Sequence, residues 1–112
     1  MTTKTKEDLF SLFKKTDINE GVRLFLDTRP AVLLDVRTKE EYAQGHIKGS
    51  INIPLQEIEK AQQTVENKEL PLFVYCRSGS RSAQAVKALK MMGYENARNI
   101  GGIIGYEGEL IR

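Results

Sequence analysis

The chain has 112 residues, 17 of them basic and 15 acidic, for a net charge of +2, and 40% are hydrophobic. That length suits one domain, residues 1–112, and is too short for two. The hydrophobic share supports a packed core, and the near balance of charge argues against a nucleic-acid partner. No run approaches the length of an apolar membrane span, and Met1-Thr2-Thr3-Lys4-Thr5-Lys6 lacks the apolar stretch of a secretion signal, so no membrane association is expected. One cysteine cannot close an internal disulfide, and a free thiol fits the reducing cytoplasm. With a single Cys, a single His and no ligand cluster, no metal site and no cofactor are expected.

In chain order, residues 1–8 are polar and expected to be loose. A short helix is expected over Asp8–Phe13 and a short strand over Thr16–Ile18. Asn19 reads as the N-cap of a helix through about Leu26, with Val22, Phe25 and Leu26 on one face. Arg29-Pro30 breaks it. Ala31 to Val36 is a nearly unbroken apolar run, interrupted by Asp35, as a strand buried on both faces would be. Thr38-x-x-Glu41 is a capping box opening another helical turn, which Gly45 ends. Ser50 to Ile53 reads as a strand stopped by Pro54, and a helix is expected from about Leu55 to Glu66. Leu72 to Tyr75 is the next strand. Ser82 to Met92 reads as a helix with Ala85, Val86, Leu89 and Met92 inward and Gly93 just past its end. Ala97 to Ile100 is expected to be the last strand, with Gly101-Gly102 a turn before a short final segment.

Strands alternating with helices argue for an α/β fold with one parallel sheet covered on both faces. In such sheets sites form beyond the carboxyl ends of strands, where Asp35 and Cys76 both fall.

The chemistry gathers around Cys76. It closes an apolar strand and opens the loop Arg77-Ser78-Gly79-Ser80-Arg81, which contains no acidic residue and leads into a helix. A thiol beneath a helix N-terminus, flanked by two arginines, is held toward its thiolate. Such a loop can cradle an anion in its backbone N–H groups. A lone cysteine is often an inert small hydrophobe, but its position here favours an activated nucleophile. Arg77 and Arg81 could each pair with an anionic substrate. Gly79 lets the loop fold back, and Ser78, Ser80 and Ser82 could offer hydroxyls to a bound anion or sulfur, the last also being placed to cap the helix. His46, the one histidine, reads as structural, in the turn Gly45-His46-Ile47-Lys48-Gly49, in preference to the base of a Cys–His dyad. Asp35 and Arg37 read as a local ion pair, with Glu41 nearby, supporting the cysteine loop from the adjacent strand end. Gly101-Gly102-Ile103-Ile104-Gly105 has neither the spacing nor the position of a dinucleotide fingerprint.

Taken together, Asp35-Val36-Arg37, Glu41-Tyr42, Gly45-His46-Ile47-Lys48-Gly49-Ser50, Asn52-Ile53-Pro54, the Cys76–Arg81 loop, Gly93-Tyr94 and Gly101-Gly102 resemble the single-domain rhodanese family in order and spacing, from about residue 16 to 106. The resemblance implies a rhodanese-like α/β fold, with a central parallel sheet of four to five strands and helices on both faces. It implies that Cys76 carries sulfane sulfur as a persulfide, that residues 76 to 81 form the active-site loop, and that Asp35, Arg37 and His46 hold the scaffold. It further implies a small sulfur-containing anion such as thiosulfate as donor, and a thiol or cyanide-like acceptor, a protein thiol included. Two positions depart from the family pattern. Tyr106 stands where tryptophan is usual, and the closing helix is expected to be short.

Two other readings compete with sulfur transfer. In a phosphatase or arsenate reductase, five residues separate the cysteine from the loop's final arginine. Here four separate Cys76 from Arg81, a tighter ring suited to a sulfur atom. A non-catalytic binding module typically lacks the cysteine, which this chain has.

Overall fold

The computed structural model of the protein describes residues 17–112. The expected loose start and the helix over Asp8–Phe13 lie outside them, as does Thr16. The first described element, α1 (Ile18–Asp27), replaces the remainder of the strand expected at Thr16–Ile18. Its N-cap is Asp17, two residues before the one expected, because the Asp17 carboxylate accepts from Asn19 N at 2.9 Å. Asn19 instead ties the helix to the far end of the chain, donating to Gly105 O and accepting from Glu107 N. Val22 is buried and Phe25 half-buried, but Leu26, expected beside them, is 55% exposed. α1 lies directly on the sheet through Gly21, where any Cβ would collide with Ile100.

After α1 come β1 (Val32–Asp35), α2 (Lys39–Gln44), β2 (His46–Ile47) and β3 (Ser50–Asn52). The Thr38–Glu41 capping box is present in both directions, and Gly45 caps the end of α2. His46 lies in a short strand and not in a turn. The single helix expected over Leu55–Glu66 is two pieces, a 3-10 segment (Leu55–Lys60) kinked at Glu57 and one α turn, α3 (Ala61–Thr64). Ile58, Ala61 and Val65 face the core across this irregular stretch, and packing sets its path.

β4 (Leu72–Cys76) is buried at every residue, as the interior strand of a parallel sheet must be. α4 (Ser80–Met91) starts two residues earlier than the sequence suggests and ends before Gly93, whose φ of 103° lies in the left-handed region. Of its expected inward residues, Ala85 and Leu89 are buried, while Val86 and Met92 pack partly buried at the margin. β5 (Ala97–Gly102) runs on through the glycine pair that was expected to turn, and it is not the last strand. In place of a short closing helix there is a 3-10 turn (Ile103–Gly105) and then β6 (Leu110–Ile111), antiparallel to β2.

The sheet is four-stranded and parallel, in the order β3-β1-β4-β5. Its two faces carry two cores, read directly from period-two alternation along β4. Leu72, Val74 and Cys76 face α3, α4 and Tyr94. Phe73 and Tyr75 face α1, Ile47 and Ile100, where Tyr106 packs partly buried at the tryptophan position. The register sets Asp35 beside Tyr75, and Cys76 beside Gly102. The ends of β1, β4 and β5 therefore meet at one edge of the sheet.

Candidate active site

Cys76 is 1% exposed and ends β4 where the chain turns into α4. The turn needs Gly79, whose φ of 101° is left-handed. Folded back in this way, the loop aims Gly79 N at Cys76 Sγ, 3.0 Å away, and brings the Ser82 hydroxyl to 3.4 Å of it. Burial alone would push the Cys76 thiol up. Once Sγ is charged, hydrogen bonds to it from the Ser82 side chain and from the backbone of Ser82, Gly79 and Ser78 outweigh burial, and the thiol lies below its ordinary value. The arginine charges come behind these hydrogen bonds, although the Arg81 guanidinium does feel Cys76.

The two arginines of the loop have separate fates. Arg81 reaches back to α2 and forms a bidentate pair with Glu41, Nη1 to Oε1 at 2.7 Å and Nη2 to Oε2 at 3.0 Å. Arg77 is exposed and, among the described residues, has no ion pair or side-chain hydrogen bond. It borders a cleft of about 350 Å³ with Arg37, Gln44, Ile103, Ile104 and Leu110. A larger apolar cleft of about 1010 Å³ opens between α1 and Lys48-Gly49 and contains none of the loop residues. Ser78 and Ser80 are exposed.

Asp35 and Arg37 form the ion pair expected of them. Both are buried, with Arg37 Nη2 on Asp35 Oδ2 at 2.7 Å, Nε on both carboxylate oxygens, and the Arg37 backbone N–H on Oδ1 at 2.8 Å. Burial alone would lower the Arg37 pKa, but the Asp35 hydrogen bond and charge raise it. Arg37 also donates to Gly45 O, so the pair ties the end of β1 to the end of α2. His46 stacks on Tyr42 with centroids 3.7 Å apart and places Nδ1 2.8 Å from Tyr42 O. A carbonyl only accepts, so Nδ1 carries the ring proton. The hydrogen-bonding groups within reach of Sγ are Gly79 N and Ser82 Oγ, and His46 is not among them.

The rhodanese-like domain model matches residues 18–109. The chain belongs to that family. It is 44% identical over 71 residues to thiosulfate sulfurtransferase PspE of Escherichia coli (strain K12), a match covering 62% of this chain and 68% of that one. It is 36% identical over 94 residues to the human thiosulfate:glutathione sulfurtransferase, covering 72% and 82% respectively. Among solved structures, a rhodanese with anions from E. coli superposes with a TM-score of 0.68 at 37% identity, covering 73% of this chain and 98% of that one. In two longer relatives the match spans only 20% and 36% of their length. At the level of the family this is a rhodanese-type enzyme, a sulfurtransferase.

On this rhodanese scaffold, three features of the loop's surroundings escape the sequence reading. Gly102 packs flat against the loop, and a Cβ there would lie 2.6 Å from Ser78 Cα. Ile104 N holds Arg77 O at 3.2 Å. Asn99 bonds Gly79 O and the Ser82 hydroxyl. The glycine pair at the end of β5 was the available signal, since strand glycines mark close backbone approach. Asn99 gave none.

The Glu41–Arg81 tether carries a pH dependence. Its hydrogen bond to Arg81 holds the Glu41 carboxyl down to about 2, against an ordinary 4.5. A depressed carboxylate contributes stability above its unfolded value and loses it as pH falls through the folded one. Wild type should therefore exceed Glu41→Gln in unfolding free energy by on the order of 1 kcal/mol at pH 6, after solvent screening. That gap should close between about pH 4.5 and 2. Urea unfolding across this range checks it, and a gap that is constant with pH would remove the tether from the loop's support.

Proposed function

We propose that the chain moves sulfane sulfur from thiosulfate or a similar donor to a thiophilic acceptor by way of a persulfide on Cys76. The observation that carries this reading is the convergence of loop donors on Cys76 Sγ at the head of α4. These groups favour the thiolate needed for attack. In the first half, Sγ attacks the outer sulfur of the donor. The Sγ–S bond forms, the donor's S–S bond breaks, and sulfite leaves with the electron pair. In the second half, an acceptor thiolate or cyanide attacks the terminal sulfur, and Cys76 departs as thiolate. The loop N–H groups stabilise the anionic sulfur at both stages. Arg77, the loop cation left open, receives the anionic donor, while Arg81, Asp35, Arg37 and His46 hold the scaffold. The acceptor is a thiol or a cyanide-like nucleophile, a protein thiol included. A free thiol used in this way belongs in a reducing compartment, the cytoplasm.

The direct test is an intact-mass spectrum after thiosulfate treatment and desalting. One sulfur atom should be gained and then lost again on adding cyanide. No gain, with sulfite release also absent, would overturn the persulfide route. A cysteine-dependent hydrolysis of an aryl phosphate by the wild type would instead turn the loop toward phosphoryl chemistry.

A further inference from the structure

Asn99 stands on β5 beside Val74 of β4, and its side chain makes three hydrogen bonds that reach the cysteine loop and the start of α4. Oδ1 accepts from Gly101 N at 2.9 Å and from Ser82 Oγ at 2.7 Å, and Nδ2 donates to Gly79 O at 3.0 Å. Its orientation is fixed by these partners. Turning the amide over would set Nδ2 against the Gly101 N–H, donor against donor, and Oδ1 against the Gly79 carbonyl, acceptor against acceptor.

The Ser82 hydroxyl has one proton to give. Oδ1 can only accept, so at 2.7 Å that proton lies toward Asn99. Toward Cys76 Sγ, 3.4 Å away, Ser82 then presents a lone pair. This arrangement suits a thiol, whose S–H can donate to Oγ. It is wrong for a thiolate, which needs a donor. When the S–H proton passes to solvent, the Ser82 proton must turn from Oδ1 to Sγ, leaving Oδ1 with the Gly101 N–H alone. Ser82 is fully buried, so water does not replace either partner cheaply.

We propose that Asn99 is a positioning residue for sulfur transfer: it holds the lone Ser82 proton whenever Cys76 Sγ bears no charge and yields it when Sγ is the thiolate. The inference rests on the persulfide reading of the site. In that cycle the inner sulfur is uncharged as thiol and as persulfide, and charged when it attacks the donor and when it leaves. The hydroxyl therefore turns toward sulfur at the attack and at the departure, and back to Asn99 in between. Asn99 keeps Ser82 satisfied in the persulfide stage at the cost of opposing thiolate formation.

The other charged groups about the site are Arg77 and Arg81 on the loop, Glu41 against Arg81, the Asp35–Arg37 pair at the end of β1, and Arg98 of β5, which lies over Phe73. None of these groups, nor any other ionisable side chain among the described residues, hydrogen-bonds Sγ. All of these groups stay in place in the variants below.

The test is the pH titration of the Cys76 thiol, by thiolate absorbance or alkylation rate, in wild type, Asn99→Leu, Ser82→Ala and the double variant. No donor is present, so the result stands apart from whether thiosulfate loads the enzyme. Asn99→Leu frees the Ser82 proton for sulfur, and the midpoint should fall by about one pH unit. In the Ser82→Ala background the same change should produce no fall. If Asn99 merely braces the loop, losing its bond to Gly79 O loosens the Gly79 N–H on sulfur and the midpoint rises in both backgrounds. A rise, no change, or a fall that persists without Ser82 overturns the proposal. Asn99→Asp covers the case in which the leucine variant does not fold. It keeps Oδ1 for Ser82 and Gly101, and it should raise the midpoint more with Ser82 present than without it. An equal rise in both backgrounds overturns the proposal as well.

Discussion

Replacing Cys76 with serine should reduce thiosulfate-to-cyanide sulfur transfer on the order of 10⁴-fold or more, to the level of the uncatalysed reaction. Oxygen is smaller than sulfur and sits closer to Cβ, but the introduced hydroxyl can still accept from Gly79 N and meet Ser82, so the buried position leaves no polar group unpaired. Unfolding free energy should stay within about 1 kcal/mol of wild type. What disappears is the chemistry, because an alkoxide is not available near neutral pH and an oxygen–sulfur bond is no substitute for a persulfide. Transfer assays and urea unfolding on the same preparation check both halves. Substantial transfer by a folded serine variant would mean that sulfur passes between substrates without resting on the protein.

The second large effect is on the fold beneath the loop. Asp35→Ala removes the carboxylate that Arg37 grips with its backbone N–H, Nε and Nη2. Arg37 is 7% exposed, so its guanidinium is left charged and buried beside Tyr75. Breaking a buried pair from one side costs about 3–5 kcal/mol, a large part of the roughly 5–15 kcal/mol that holds a domain folded. Arg37 also loses the partner that aims it at Gly45 O, so the β1–α2 connection, which carries Glu41 to Arg81, loosens with it. The denaturant midpoint should drop sharply, and residual transfer should fall further than the folded fraction alone explains. The double variant Asp35→Ala/Arg37→Leu should recover much of the loss, because it leaves no bare charge inside. A loss in Asp35→Ala below about 1 kcal/mol would show that the guanidinium escapes to water and that the pair is no clamp.

The elements legible in the sequence are those whose cause lies within a few residues. The Thr38–Glu41 box, the stop at Gly45, the left-handed Gly93 and the unbroken apolar strand ending at Cys76 each follow from i-to-i+3 hydrogen bonds, backbone freedom or period-two burial. The loop Cys76–Arg81 belongs with them, because a strand end, a glycine and a helix start follow one another along the chain. Locally scored signals also misled. Asn19 is as good a cap as Asp17 by residue type, and only its bonds to Gly105 and Glu107, more than eighty residues away, decide that it lies inside α1. The stretch from Leu55 to Thr64 has helical periodicity, yet packing against α4 breaks it into a 3-10 segment and one α turn. β6 exists only because β2 lies alongside it. Within the site, Glu41 is legible as a cap, but its grip on Arg81 crosses forty residues. Asn99 reaches Ser82 and Gly79 from the next strand of the sheet. Parallel pairing brings the ends of β1, β4 and β5 together without any repeat or spacing in the chain to announce it. The position of Cys76 was therefore written locally, while the partners that surround its sulfur and hold its loop were fixed by the register of the strands.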